Sequence, residues 1–470
     1  MPKAIRDMID ADLLCIGSGP AGQRAAVQAA KLGKRVVIIE KRRVVGGVCL
    51  DTGTIPSKTF REAVLAFGRQ AEQFRKRHGF AVPSRPGVDQ LFARVNEVVE
   101  REGEVVQRQL ERNDITVVRG EASFIDAHTV QVFAEEALQW VQAEHIVVAV
   151  GTVPAPPLGM KDEHPQIITS DKVMGLERLP RSMVVVGAGV IGLEYASMFG
   201  SLGVDVTLVD SRQRPLEFLD NEIVDELIHQ MRNYGVTFRL GETVEQMECS
   251  EGKPTKAVIY LESGKKLVSD LVLYAVGRIG ATETLELQRA GLEADERGRL
   301  KVNERFQTTV PHIFAAGDVI GYPSLAATSS EQGRLAACHA FGMKAEPMTS
   351  NFPIGIYAVP EISMVGENEQ NLTIKKVPYE MGMARYREIA RGHIMGDDSG
   401  LLKLLFHRKN RQLLGVHAIG FGATELVHIG QAVLGLGGGL EYFMSTVFNY
   451  PTMAECYKVA SLDAFNKLSQ

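Results

Sequence analysis

Two glycine clusters carry the clearest chemistry in the chain. Gly17-Ser18-Gly19-Pro20-Ala21-Gly22 follows the apolar run Leu13-Leu14-Cys15-Ile16, and Glu40 ends the next apolar run, eighteen residues beyond Gly22. Gly187-Ala188-Gly189-Val190-Ile191-Gly192 follows Met183-Val184-Val185-Val186, and Asp210 again stands eighteen residues beyond the last glycine. In such a unit the first glycine permits a tight turn, the second lets the backbone approach a pyrophosphate, and the third allows close helix–strand packing. The phosphates rest on free amides at a helix N-terminus, and the acid accepts hydrogen bonds from a ribose hydroxyl. Gly17, Gly19, Pro20, Gly22 and Glu40 therefore form one candidate dinucleotide site, and Gly187, Gly189, Ile191, Gly192 and Asp210 a second. Directly after Asp210, Ser211-Arg212-Gln213-Arg214 adds two guanidiniums suited to a phosphate. Asp210 alone argues for NAD, and Arg212 with Arg214 alone for NADP. Both in one loop predict tolerance of a ribose with or without a 2′-phosphate.

Positioning two such turns requires two strand–turn–helix–strand units. The spacing predicts strands at 13–16, 35–40, 183–186 and 205–210, with a helix after each glycine cluster. Between the units lie a charged helical stretch at 58–112 and short strands near 128–133 and 138–141. The run 145–151 reads as a separate buried strand ending at Gly151, where the chain crosses to the second unit. Beyond it come a helix at 221–234, several short strands, and the run 271–278 that holds Gly277. A strand at 313–318 delivers Asp318, which read by itself serves equally well as a helix N-cap; a helix over 325–341 follows. Residues 346–470 form a distinct last part, with a hairpin pairing 401–406 and 412–418 about Lys409-Asn410 and helices around 423–434 and 452–465. These boundaries predict domains at 1–152, 153–281, 282–345 and 346–470. With 45% apolar and 23% charged residues and a net charge of −5, the composition is that of a soluble globular chain. It gives no reason to expect nucleic acid or membrane as a partner. Five scattered cysteines are not a secreted disulfide framework and show no metal-ligand spacing, so no metal is expected. The opening MPKAIRDMIDADLL lacks the build of a signal peptide, which makes the cytoplasm the expected compartment.

A further stretch, Gly46-Gly47-Val48-Cys49-Leu50-Asp51-Thr52-Gly53-Thr54-Ile55-Pro56-Ser57-Lys58, resembles the signature of the flavin disulfide reductases, the family of glutathione reductase and dihydrolipoamide dehydrogenase. The resemblance extends over nearly the whole chain, through Ile313–Asp318 and the segment Phe448-Asn449-Tyr450-Pro451-Thr452-Met453-Ala454-Glu455, in the family's order. It implies an α/β fold of two Rossmann-like domains, for FAD and for NAD(P), with a C-terminal α+β dimerisation domain. It also implies that Gly47, Gly151 and Asp318 join the first cluster around FAD, with Asp318 on the ribitol chain, and that Gly277 joins the second around NAD(P). By the same resemblance Lys58 sits beside flavin N5 with Glu194 as its ion-pair partner. Read alone, these two are a surface lysine and a helix-face glutamate.

The chain departs from the family pattern at two places. Thr54 replaces the second cysteine of the signature, so Cys49 lacks the sulfur that a redox disulfide needs. Tyr450 stands where a histidine base precedes the proline, while Glu455, which orients that base, is kept; a tyrosine with an ordinary pKa of about 10 is a poor base at neutral pH. Loss of both parts together removes dithiol exchange and leaves hydride transfer, which needs neither. The pairing resembles the branch of the family that exchanges hydride between nicotinamide nucleotides. That implies a ping-pong cycle: NADPH reduces the flavin at N5, NADP leaves, and NAD⁺ takes the same place. An NAD(P)H:quinone or dye reductase, or a non-enzymatic flavin-based redox sensor, is compatible with the same residues. Cys49 is expected to be a remnant with a packing or flavin-contact role. The expected partners are NADPH, NAD⁺ and a second copy of the chain, as a homodimer or larger homo-oligomer.

Overall fold

The computed structural model describes residues 5–78, 87–134, 138–160 and 164–469. Its first sheet begins with β1 (Ile5–Ile16), followed by α1 (Pro20–Lys31) and β2 (Val36–Glu40), which lies parallel to β1 with Leu13 opposite Val36 and Ile16 opposite Ile39. Pro20 opens α1 with its φ already set for a helix, and Ala21, Gly22, Ala25, Ala26 and Ala29 give the helix a small-residue face that buries against the sheet. Next come α2 (Gly47–Asp51), α3 (Thr54–His78) and α4 (Val88–Glu111). These helices account for the charged stretch read at 58–112, apart from 79–86, which lie outside the described residues. In α4, Val88, Leu91, Phe92 and Val95 recur at helical spacing and are buried, while the charged residues face outward.

The strands β3 (Thr116–Arg119), β4 (Glu121–Phe124), β5 (Thr129–Phe133) and β6 (Leu138–Val148) complete a sheet in the order β3-β2-β1-β6-β5-β4. Here the expectation of two separate strands at 138–141 and 145–151 is corrected. β6 is continuous because β1 pairs with it in parallel along its whole length, from Leu138 to Val148, although on its other edge Leu138–Gln142 pair antiparallel with β5 and Ile146–Val148 pair parallel with a strand that arrives much later in the chain. The short β7 (Thr152–Pro154) then leads out of this layer.

The second unit repeats the first. β8 (Ile167–Thr169), β9 (Ser182–Val186), α5 (Val190–Ser201), β10 (Asp205–Asp210), α6 (Asn221–Asn233) and β11 (Thr237–Leu240) precede an antiparallel group of β12 (Val244–Cys249), β13 (Ala257–Leu261) and β14 (Lys266–Ser269). β15 (Leu271–Tyr274) completes a parallel sheet in the order β11-β10-β9-β15-β8. The chain returns through β16 (Arg278–Gly280), antiparallel to β7, so it leaves and re-enters the first unit on two adjacent strands. β17 (Ile313–Ala315) is the late neighbour of β6. Asp318 follows it at the start of a 3₁₀ turn and caps no long helix; α7 (Ala326–Ala340) begins eight residues later. α7 packs on α1 so closely that a Cβ on Gly333 would lie 2.0 Å from the Ala21 carbonyl oxygen.

The last unit holds β18 (Ile354–Ile356), β19 (Ile362–Gly366), α8 (Glu369–Ile374), β20 (Tyr379–Arg385), α9 (Ala390–Met395), β21 (Leu401–His407) and β22 (Leu413–Ile419), in an antiparallel sheet ordered β18-β19-β22-β21-β20. α10 (Ala423–Gly435), α11 (Leu440–Ser445) and α12 (Glu455–Leu468) follow, and Leu404, Phe406, Val416, Leu426, Val427 and Tyr457 share one buried cluster with the sheet. The closing helix thus starts at Glu455, three residues later than the sequence suggested, and α8, α9 and α11 were not anticipated. Two Rossmann-like units and a C-terminal α+β unit make up the chain. Among the described residues no helix is long and apolar enough to cross a membrane.

Candidate active site

A cavity of about 730 Å³ opens where the three units meet. Its first-unit wall is built on the glycine turn after β1. Gly17 adopts φ +103°, a region that strains other residues, and a Cβ there would lie 2.4 Å from the Ala149 carbonyl oxygen; a Cβ on Gly22 would lie 1.9 Å from the Gly17 carbonyl oxygen. Gly19, by contrast, faces open space with nothing within 4 Å of a built Cβ. The turn therefore closes on itself at Gly17 and Gly22 and offers bare backbone at Gly19, as a pyrophosphate requires. The second turn has the same geometry: a Cβ on Gly192 would lie 1.9 Å from the Gly187 carbonyl oxygen, and Gly189 is open.

Glu40 is buried beneath the first turn. Its Oε2 accepts from the Ser18 amide at 3.0 Å and the Ser18 hydroxyl at 2.5 Å, and its Oε1 accepts from the Arg42 amide at 2.7 Å. A carboxylate has about four acceptor positions, so capacity remains toward the cavity that Glu40 lines. The Ser18 hydroxyl also accepts the Gly46 amide at 2.9 Å, and Gly47 lies against the backbone of Gly19. These contacts lay the segment Gly46–Lys58 onto the glycine turn and bring Gly47, Cys49, Thr54 and Lys58 to the cavity wall beside Pro20, Gly151 and Asp318. Burial pushes the Asp318 carboxyl above its usual range, partly opposed by Arg278, Ser329 and Arg299.

The inner end of the cavity holds an ion pair that joins two units. Lys58 Nζ donates to Glu194 Oε2 at 2.7 Å, and Glu194 Oε1 accepts the Tyr357 amide at 2.8 Å from the third unit. The Lys58 ammonium lies 5.1 Å from the centre of the Tyr357 ring. Glu194 projects from the second turn of α5 and is buried; Ile191 and Tyr195 of the same helix line the cavity with it. Nearby, Ser197 Oγ accepts the Val359 amide at 2.9 Å, and Arg61 of α3 binds the Ala358 carbonyl at 2.9 Å and Glu361 at 3.1 Å. The short segment 357–361 thus stitches the first two units together around Lys58.

All five cysteines are free. Burial pushes the Cys49 thiol up, opposed by a hydrogen bond with Thr54, raised further by Asp318 and drawn down by Lys58. Thr54 occupies the position from which a second sulfur would reach Cys49.

Some of the expected residues lie elsewhere. Gly187, Gly189, Gly192, Asp210, Arg212, Arg214 and Gly277 are not on the cavity wall; Gly187, Gly189 and Gly192 form the second turn at the head of α5, Asp210 ends β10, and Gly277 lies between β15 and β16. Asp210 Oδ2 accepts the Ala188 amide at 2.6 Å, and its carboxylate is gripped by Arg212 through Nε at 2.9 Å and a terminal nitrogen at 2.7 Å. Burial pushes this carboxyl up, but the Arg212 side chain and the Ala188 and Arg212 amides outweigh it and hold it below the usual range. The structure separates the two arginines that the sequence placed together: Arg214 turns to α6, donating to Asp225 at 2.5 Å and the Asn221 carbonyl at 2.8 Å. Tyr450 and Glu455 are also away from this cavity. Tyr450 is 67% exposed, and Glu455, at the start of α12, has a buried Oε2 without a hydrogen-bond partner among the described residues.

Sequence reasoning missed Tyr357 and Arg278. Arg278 follows the flagged Gly277 and lines the cavity, with its guanidinium bound to the Thr152 hydroxyl and carbonyl, each at 2.9 Å, and to Asp171 at 3.0 Å. Its place next to a strand-end glycine was an available signal. Tyr357 meets Glu194 through its amide, which no residue type announces, and Lys58 through its ring.

Residues 11–333 match the family model described as pyridine nucleotide-disulphide oxidoreductase, and residues 352–461 match its dimerisation domain. The chain is 50% identical over 463 residues to a soluble pyridine nucleotide transhydrogenase of Mycobacterium tuberculosis, covering 98% of each chain. It is 44% identical over 464 residues to one of Photobacterium profundum, covering 97% of this chain and 98% of the relative. Among solved structures it resembles a Cu(II) complex of the HOCl-induced flavoprotein disulfide reductase RclA from Escherichia coli, with TM-score 0.87 at 27% identity, covering 96% of this chain and 99% of the other. With two glycine cradles, a lysine–glutamate pair between them and matching models along both parts of its length, this chain belongs to the pyridine nucleotide-disulphide oxidoreductase family.

Proposed function

We propose that the chain is an FAD-dependent transhydrogenase that moves hydride reversibly between NADPH and NAD⁺ without a redox disulfide. The observation that carries this reading is the company of Cys49: its neighbour on the cavity wall is the Thr54 hydroxyl, while the Lys58–Glu194 pair is intact. Bound in the first cradle, FAD would supply a ring able to take a hydride at N5 and return it, so that NADPH and NAD⁺ use the second cradle in turn. Gly17, Gly19, Glu40, Gly47 and Asp318 would hold it, and Gly187, Gly189, Asp210 and Arg212 would hold the nicotinamide nucleotides. The Lys58 ammonium on the cavity wall would stabilise the negative charge that a bound flavin gathers on reduction. Glu194 fixes that ammonium, and the Tyr357 amide fixes Glu194, so neither must reorganise during reaction. The enzymes named soluble pyridine nucleotide transhydrogenase, at 44–50% identity over almost their whole length, support the same assignment. The paired crossing strands β7 and β16 support domain limits near 152 and 281. Five unpaired, scattered cysteines suit a reducing cytoplasm.

The test is anaerobic. The enzyme is bleached with NADPH, the product is removed, and NAD⁺ is added with no thiol substrate present. Return of the flavin colour with formation of NADH is expected. Bleaching by NADPH that only a quinone or dye can reverse would overturn the proposal.

A further inference from the structure

Lys403 lies in the middle of β21 and is completely buried, an unusual place for an ammonium. It donates to Asp220 at 3.0 Å, Glu222 at 2.5 Å and Glu369 at 2.6 Å. Asp220 and Glu222 belong to the second nucleotide unit: Asp220 is the N-cap of α6 and accepts the Glu222 amide at 3.1 Å. Glu369 belongs to α8 of the C-terminal unit. The three carboxylates lie close enough together to suggest a cation site, but the lysine ammonium already serves as their cation. Two further bonds cross the same seam, from Asn368 Nδ2 to the Phe218 carbonyl at 3.1 Å and from Gln370 Nε2 to the Leu219 carbonyl at 3.4 Å. Three successive residues, Phe218, Leu219 and Asp220, are thus held by side chains of the dimerisation domain.

Those residues end the loop that begins at Asp210 and carries Arg212 and Arg214. The loop holds itself only in part: Leu216 and Leu219 are buried, and Leu216 sits at φ +49°, a strained conformation that persists only where its surroundings enforce it. We infer that Lys403 is a positioning residue for nucleotide choice, which fixes the far end of the 211–220 loop so that Arg212 meets a ribose 2′-phosphate. The inference rests on the reading of the second cradle as the nicotinamide nucleotide site. A part of the molecule that touches no nucleotide would then set the preference between NADP and NAD. A phosphate–guanidinium contact tolerates little displacement, whereas Asp210 is anchored on the glycine turn itself through the Ala188 amide. Loosening the loop should therefore weaken the phosphorylated nucleotide selectively.

The experiment titrates NADP⁺ and NAD⁺ into full-length holoenzyme by calorimetry, comparing wild type with Lys403→Met. Coupling between residues of one network predicts roughly 3- to 20-fold weaker NADP⁺ binding, with NAD⁺ changed less than about twofold. Equal weakening of both nucleotides, or no change in either, would overturn the inference, since a merely structural lysine would not distinguish them. If Lys403→Met does not fold, Asn368→Ala removes one amide contact to the same loop, and a smaller loss confined to NADP⁺ is required of it. Arg212→Ala, titrated alone, checks the phosphate contact separately: unchanged NADP⁺ affinity there would also overturn the inference, because Lys403 would then have no guanidinium to position. A wild-type enzyme that bound neither nucleotide would overturn the cradle reading and the inference together.

Discussion

Thr54 and Lys58 stand one helical turn apart at the start of α3, a spacing that puts both on one face, and both reach the cavity wall. Replacing Lys58 by Met removes the cation and leaves the buried Glu194 carboxylate facing only the Tyr357 amide. Reduction by NADPH in rapid mixing should slow by about 10²-fold or more, the usual cost of deleting one preorganised electrostatic contact; an unchanged rate would remove Lys58 from the chemistry. Cys49→Ser, in contrast, should keep most NADPH-to-NAD⁺ turnover. Cys15 and Cys456 should be inert in the folded protein. Burial pushes Cys456 up to about 12 and raises Cys15 as well, so little thiolate exists at neutral pH, and only the thiolate attacks an alkylating agent. Mass spectrometry after brief iodoacetamide treatment at pH 7.5 should find both unmodified; prompt labelling of Cys15 would contradict its placement. Lys58 and Glu194 were legible because a whole signature framed the first and a glycine turn the second. The opposite facing of Arg212 and Arg214 was not, since it depends on Asp225, a residue on a helix that a reading of the loop alone does not bring near.

The two glycine turns are the elements most fully written in the sequence, because their function leaves little room for other residues. Their equivalence gives a paired prediction. Gly22→Ala and Gly192→Ala each push a methyl group into a carbonyl of their own turn, and such overpacking costs about 1–3 kcal/mol while closing the cradle. Gly22→Ala should purify colourless, without flavin. Gly192→Ala should purify yellow yet resist bleaching by NADPH. The same phenotype from both, read by absorbance before and after NADPH, would mean that the cradles do not divide the two ligands as proposed. β6 shows the opposite case. Its periodicity suggested a break because its two halves are buried differently, and their partners, β5 and β17, lie far apart in the sequence. Pairing across such distances leaves no local mark, so strand ends follow tertiary context.

The C-terminal unit carries the family's dimerisation domain, and several apolar side chains in its last part are exposed. Leu436, Tyr442, Val447 and Tyr450 are all exposed, with Val447 at 93%. Apolar groups this exposed on a dimerisation domain are candidates for a contact surface. Sedimentation of the full-length protein should give at least twice the mass of one chain, and Val447→Asp should shift the population toward single chains; a wild type that sediments as a single chain with full activity would contradict this. The order of domains was legible because motifs arrive in sequence. How the third unit grips the other two was not, because it relies on backbone amides at 357 and 359 and on a buried lysine, none of which has a sequence signature.

One helix gives the molecule a mechanical constraint. Gly189 and Glu194 are both on the first turns of α5, so by helix geometry they lie roughly 7–8 Å apart along its axis. The amides proposed to face a phosphate and the carboxylate that steadies Lys58 therefore travel on the same stiff rod. A rotation of the second unit that made room at one end would shift the other by a comparable amount, so grip on the diphosphate and alignment at the reacting end cannot be adjusted independently.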